Sequence, residues 1–246
     1  MSTFELAVVV PTLNEAAGIG RLLAQCEVAG VRCFVVDGGS DDDTVRIARA
    51  TGADVSIAAC RGRAAQMREG ADRALAAGAQ ALLFVHADVV LPGDWLGQVR
   101  RCARSWGRFD VRLDAVSETG TRPLARSQRV LLSVVGAAMN LRSRMSGICT
   151  GDQGLFVAAC AYRDSGGFPS QPLMEDLEIS RRLKRSAGWP SRLPGPLQVS
   201  ARRWLRDGVL RTILRMWWVR LRYFFGVSAE RLAREYYPPR TNTGSR

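Results

Sequence analysis

Short β-branched runs alternating with helix-spaced segments constrain this chain more than any other feature. Residues 6–10 (LAVVV) form an apolar run that ends at Pro11. Residues 15–29 follow, with Ile19, Leu22, Leu23 and Cys26 spaced along one helical face. Residues 33–36 read as a second strand, stopped by Asp37-Gly38-Gly39-Ser40, and a helix opening at 41–44 carries Val45, Ile47 and Ala48. A third strand at 54–57 and a fourth at 81–86 flank an alanine-rich helix at 64–77. This alternation predicts a parallel α/β sheet with right-handed crossovers.

The second half is less regular. It reads as a strand at 106–113, a helix at 126–140, a strand at 155–160, a helix at 175–186 and a loop marked by Pro190, Pro194 and Pro196. No segment repeats at a fixed period and no linker divides the chain. The expected organisation is one domain over 1–205 and a C-terminal amphipathic helix with a tail over 206–246.

A hydrophobic content of 47% against 24% charged residues excludes a disordered chain. The net charge of +12 is almost all arginine, since Lys184 is the only lysine. Such a surface attracts anions: nucleotides, nucleic acid or acidic lipid headgroups. Cys26, Cys33, Cys60, Cys102, Cys149 and Cys160 contain no C-x-x-C pair and read as reduced structural residues, which suits the cytoplasm. The N-terminus enters a strand without a basic leader, and no uncharged apolar stretch approaches about 18 residues. Neither a cleaved signal peptide nor a spanning helix is expected.

Ligands of open α/β sheets bind beyond the carboxyl ends of the strands. Three of the first four strands end in polar clusters: Pro11-Thr12-Leu13-Asn14-Glu15, Asp37-Gly38-Gly39-Ser40 and His86-Ala87-Asp88. Each alone suits an ordinary strand-to-helix turn. Together on one sheet edge they build a site with carboxylates and backbone N–H groups.

In V-V-V-P-T-L-N-E, V-V-D-G-G-S-D-D-D-T, F-V-H-A-D-V-V-L-P, G-G-F and M-E-D-L-E-I-S-R-R-L, the chain resembles the family 2 glycosyltransferases, in order and spacing, over roughly residues 5–205. The segments G-R-A-A-Q-M, W-G-R-F-D-V-R-L, G-D-Q-G and S-A-R-R-W are similar to a small bacterial branch associated with radical-SAM/selenodomain proteins and arsenosugar biosynthesis. The resemblance implies a GT-A fold: a mostly parallel central sheet flanked by helices, with a nucleotide-binding half and an acceptor half. The implied activity is transfer of a sugar from a nucleotide diphosphate-sugar, UDP-linked by preference, to an unknown acceptor.

The resemblance also implies roles. Pro11, Thr12, Asn14 and Glu15 line the nucleoside, with Glu15 accepting from a ribose hydroxyl. Asp37 accepts from the N3–H of uracil; the second aspartate frequent in the family is here Gly38. Arg61 and Arg63 supply a basic loop to the nucleotide, for which the bland reading is a solvated turn. Ala87 and Asp88 face the donor diphosphate, and Asp88 ligates Mn2+ or Mg2+, which neutralises the leaving phosphate. His86, the only histidine, replaces the first aspartate of the family's Asp-x-Asp and is either a further metal ligand or a packing residue.

Glu175-Asp176 matches the catalytic pair, with Asp176 as general base of an inverting displacement and Glu175 orienting it; the competing role is to complement the helix dipole. Asp152 and Gln153 face donor sugar or acceptor, unless they only form a turn. Arg202, Arg203 and Trp204 resemble an element that closes over the diphosphate, with Arg203 on phosphate and Trp204 stacking on the acceptor; the alternative is charge on a strand edge.

At 209–227, Arg211, Arg215 and Arg222 fall on one helical face amid apolar and aromatic residues. That pattern suits an interfacial membrane helix, and equally a helix docked on the domain or in a homodimer. Two other classes compete with the transferase. Nucleotidyl transfer calls for a G-x-G-T-R-like loop where P-T-L-N-E stands. A basic nucleic-acid-binding module finds no zinc-finger or helix-turn-helix signature, so nucleic acid is not an expected partner.

Overall fold

The computed structural model describes residues 5–60, 62–102, 104–114 and 125–237, and of Arg203 the backbone only. The first half follows the alternating pattern: β1 (Leu6–Thr12), α1 (Ala16–Val28), β2 (Arg32–Asp37), α2 (Thr44–Ala50), β3 (Asp54–Ile57), α3 (Arg63–Ala76) and β4 (Ala81–Phe84). There follow β5 (Val89–Val90), α4 (Trp95–Arg100), β6 (Trp106–Asp114), α5 (Arg126–Ser146), a 3-10 turn (Gly151–Gln153), β7 (Leu155–Ala158), α6 (Ala159–Asp164) and α7 (Glu175–Ala187). The chain then forms β8 (Ser191–Ser200), α8 (Arg202–Asp207), α9 (Val209–Phe224) and α10 (Ala229–Tyr236).

One eight-stranded sheet runs β3-β2-β1-β4-β7-β6-β8-β5. The expected parallel arrangement holds for the contiguous strands β3-β2-β1-β4 and for the β6-β8 pair. β7 is antiparallel to both β4 and β6, and β8 is parallel to β6 but antiparallel to β5, so the sheet is mixed. The proline-marked loop is in fact β8. Its pairing with β6 slips from Phe109↔Leu193 to Asp110↔Pro196; Pro194 and Pro196 sit at this bulge, where a missing N–H costs little, and Pro190 precedes the strand. The strand expected at 155–160 stops at Ala158 because α6 begins there, and α5 continues past residue 140 until Gly147 caps it at φ 65°.

β1 feeds both faces of the sheet. Val8 and Val10 join Ile19, Leu22, Leu83 and Leu197 on one side, while Ala7 and Val9 join Met67, Ala71, Leu82 and Ile179 on the other. Each such Leu, Ile or Val contributes about 1.5–3 kcal/mol on burial, and a one-residue slip would misplace all of them. Two glycines set how closely helices approach. A Cβ at Gly70 would lie 2.5 Å from Val9, and one at Gly18 2.8 Å from the Ala87 carbonyl. The second approach presses α1 against the segment that carries His86 and Asp88.

The boundary expected at residue 205 falls inside α8. Trp204 belongs to the core, and Leu205, Val209, Ile213 and Met216 pack against it. The basic stripe of α9 is placed differently from the sequence expectation. Arg215 donates to the Tyr236 carbonyl at 2.7 Å and stacks on its ring, and Arg222 pairs with Glu235, so both tie α9 to α10. The exposed side of α9 carries Leu210, Leu214, Trp217, Trp218, Leu221 and Phe224, with Arg211 and Arg215 beside them. Among the described residues no helix is long and apolar enough to cross a membrane.

Candidate active site

The loops after β1 and β2 are laced into one unit at the carboxyl edge of the sheet. Asp37 is fully buried and accepts from the Thr12 hydroxyl at 2.8 Å, the Gly39 N–H at 2.9 Å, and the Ser40 N–H and hydroxyl at 2.7 and 2.5 Å. Burial pushes its carboxyl up, but these hydrogen bonds outweigh it and hold Asp37 below the usual carboxylate range. A carboxylate offers about four lone-pair sites, and these four donors match that number. Asn14, at φ 56°, a left-handed conformation that asparagine tolerates, accepts from the Asp41 N–H, while its own N–H donates to Ser40. Thr44 and Asp42 accept from the N–H groups of Glu15 and Ala16 at the start of α1.

Gln66, to which sequence reasoning gave no role, ties this unit to α3. Its buried amide donates to the carbonyls of Thr12 and Val36, each at 2.8 Å. A Cβ at Gly38 would come within 3.2 Å of that amide and 3.4 Å of the Thr12 carbonyl, so a larger residue there would require Gln66 to shift slightly.

A group of acids lies beside this unit. Glu15 is raised to about 7, chiefly by burial and then by Asp88, and Arg202 approaches it at 3.8 Å. Asp88 is raised as well, by burial first and Asp152 second. His86 sits behind them, 3.6 Å from Asp152, and is lowered to about 4 by burial and by Arg63, so the imidazole is neutral at pH 7. Its Nε2 is buried without a hydrogen-bond partner, against Gly151, where a Cβ would lie 2.6 Å from that nitrogen.

The second pair of acids opens α7. The Gly166-Gly167-Phe168 turn is anchored by Phe168, which packs edge-on against Phe84 and whose carbonyl accepts from Arg68. Met174 at φ 64° then sets the first turn of the helix. Glu175 is buried 3.6 Å from Arg63. Asp176 accepts from the N–H groups of Gly151 at 3.3 Å and Leu177 at 2.8 Å, yet burial and then Glu175 raise it to about 7. Arg63 lies in the field of Glu175, Asp152 and Asp176, and so joins the first cluster to the second.

Other expected residues are placed elsewhere. Gln153 is fully buried and accepts from Thr150, so it shapes the turn rather than facing a ligand. Trp204 is buried in the core rather than turned to an acceptor, because α8 is a helix whose inward face it occupies. Arg202 stands on that helix, not on a strand edge. Pro11 and Ala87 contribute backbone and packing only. Arg61 and the side chain of Arg203 lie outside the described residues.

Among the described residues no three His, Cys, Asp or Glu side chains are grouped to hold a metal ion unaided. Mg2+ and similar cations commonly take one or two carboxylates and complete their shell with substrate phosphates and water. Asp88, raised by burial and by the neighbouring Asp152 carboxylate, with the unpartnered Nε2 of His86 on the ring that approaches Asp152, fits a cation of that kind.

Comparison with known proteins agrees with this architecture. Residues 7–116 match the family model "Glycosyl transferase family 2". The match covers fewer than half of the residues and contains the Asp37 and Asp88 segments. The fold as a whole is that of GT-A glycosyltransferases. S. aureus TarS 1-349 superposes with a TM-score of 0.58 at 17% identity, over 80% of this chain and 60% of that one; it has also been solved with UDP-GlcNAc. Glucosyl-3-phosphoglycerate synthase from Mycobacterium tuberculosis, in complex with Mn2+, UDP and glucosyl-3-phosphoglycerate, superposes with a TM-score of 0.54 at 18% identity, over 80% and 72% of the chains. The chain thus spans about 60% of the TarS fragment. No curated protein sequence matches it.

Proposed function

We propose that this chain transfers a sugar from a UDP-sugar to an acceptor hydroxyl by a single inverting displacement, with Asp176 as the base. The observation that carries this reading is a set of three unlike carboxylates at element ends: Asp37 held ionised at the end of β2, Asp88 beside Asp152 after β4, and Asp176 at the start of α7, raised to about 7. A base with a pKa near the working pH accepts a proton effectively and is still ionised in good part. Glu175 raises it, and Arg63 balances the pair. The Asp37 unit orients the nucleoside, Glu15 faces the ribose, and Arg63 and Arg203 contact the diphosphate. Asp88, with His86 or Asp152, would hold Mn2+ or Mg2+, which supplies charge neutralisation at the leaving phosphate. The likeness to the radical-SAM-associated branch belongs to this reading as well.

Six free cysteines suit a reducing cytoplasm. The exposed aromatic face of α9 suits the surface of an acidic membrane. The decisive experiment is a donor panel of UDP- and GDP-sugars, with nucleotide release and binding followed with and without Mn2+. Metal-dependent turnover of a UDP-sugar supports the reading, and tighter binding of GDP than UDP refutes the choice of uridine.

A further inference from the structure

Across the site from the nucleotide loops, one acid is surrounded by arginine. Asp110 accepts from Arg108 at 2.8 Å, from Arg144 at 2.7 Å and from Arg192 at 2.7 Å. Arg108 is only 2% exposed, whereas the side chains of Arg144 and Arg192 are 45% and 50% exposed. Arg142, two residues before Arg144 on α5, donates weakly to the Thr150 hydroxyl at 3.4 Å and has a buried Nε with no hydrogen-bond partner. It lies in the fields of Asp176, Asp152 and Arg108.

Asp110 alone does not balance the three arginines that pair with it. A structural ion pair needs a single arginine, and burying like charges together is costly unless an opposite charge compensates. The excess lies on β6, β8 and α5. In the sheet order β3-β2-β1-β4-β7-β6-β8 these strands stand on the far side of His86 and Asp88 from the β1 and β2 loops. Of these planar forks, suited to oxyanions, Arg142 lies in the field of Asp176, and Arg144 and Arg192 stand with Asp110 on the β6 and β8 side, away from the β1 and β2 loops.

We infer that Arg142, Arg144 and Arg192, braced by Asp110 and Arg108, form a subsite for an oxyanion, a phosphate or carboxylate, carried by the acceptor. The inference rests on the transferase reading and narrows its acceptor to an anionic hydroxyl compound. Asp110 fixes the arginine forks, Arg142 contacts the oxyanion next to the base, and the acceptor hydroxyl is thereby held towards Asp176.

The test is calorimetric titration of inorganic phosphate, and separately acetate, into the full chain, alone and saturated with UDP and Mg2+. Phosphate or acetate should bind whether or not UDP is present, and the stronger of the two identifies the oxyanion. Arg142→Gln and Arg192→Gln should each weaken that binding at least tenfold and leave UDP affinity unchanged. Absence of binding at millimolar anion overturns the proposal. Displacement of the anion by UDP does so too, because the arginines would then belong to the donor diphosphate. Should Arg142→Gln fail to fold, the half-exposed Arg192→Gln decides alone, and unchanged anion affinity in it overturns the subsite. Failure of UDP to bind while the anion still binds would refute the transferase reading and leave the anion site standing.

Discussion

Replacing Asp176 by asparagine separates a catalytic base from a helix-capping acid by the sign of its effect on stability. The carboxyl is raised from 3.8 to about 7, by burial first and Glu175 second. For an acid whose folded pKa exceeds its unfolded pKa, the folded chain holds the proton longer, so stability falls as pH rises between the two values. The loss starts near pH 4 and is complete above about pH 7. Each unit corresponds to about 1.4 kcal/mol, which sets a ceiling on the order of 4 kcal/mol. Arg63 opposes the shift and Asp176 retains some solvent, which brings it to about 2 kcal/mol. Asparagine removes the charge but weakens one of the two hydrogen bonds from Gly151 and Leu177, at about 1 kcal/mol.

Above pH 7 the variant should therefore be more stable than the parent by about 1 kcal/mol, a rise in Tm of about 2–4 °C. At pH 4 it should be no more stable. Transfer should fall by a factor of about 10² to 10⁴, in turnover rather than donor affinity. Thermal melts at pH 4 and pH 8 and initial rates on one preparation provide the measurement. A variant that melts lower than the parent at pH 8 and keeps near-normal transfer would refute the reasoning and leave Asp176 as a helix-terminal acid.

Four further outcomes are expected. Asp88→Ala should abolish the enhancement of UDP binding by Mn2+ without unfolding the chain, and calorimetry with and without the metal reads this. Asp37→Asn should weaken UDP binding by about 1–3 kcal/mol, because it loosens the Thr12 and Ser40 loops as well as any base contact; unchanged affinity excludes Asp37 from nucleotide recognition. Gln66→Leu leaves the Thr12 and Val36 carbonyls without their side-chain donor and should destabilise by about 1–3 kcal/mol, read by urea unfolding. Trp217→Ala with Phe224→Ala should reduce sedimentation with anionic vesicles and leave soluble-donor hydrolysis intact; equal retention argues against α9 as a membrane contact.

How far the sequence revealed the fold and site depended on how local each signal was. The β1–β4 half was legible because each strand and helix carries its own period, and each polar strand end directly follows an apolar run. The second half depends on pairing between distant segments. Pro194 and Pro196 are strong loop signals locally, and only a bulge against β6 admits them to a strand. The same distinction applies to the site. Asp37, Asp88 and Asp176 stand at element ends, where a polar residue following an apolar run or opening a helix is visible in the sequence. Gln66 and Asp110 lie within regular elements, and their roles come from partners 54 and 82 residues away. Trp204 was misleading for the converse reason: an aromatic beside two arginines looks like a ligand platform until the helix that carries it turns it inward. A motif thus identifies which residues can do chemistry, while long-range packing decides which of them are turned towards a substrate. The arginines around Asp110 show this most clearly: the segment W-G-R-F-D-V-R-L holds Arg108 and Asp110, but Arg144 and Arg192 join them only once β6, β8 and α5 are assembled.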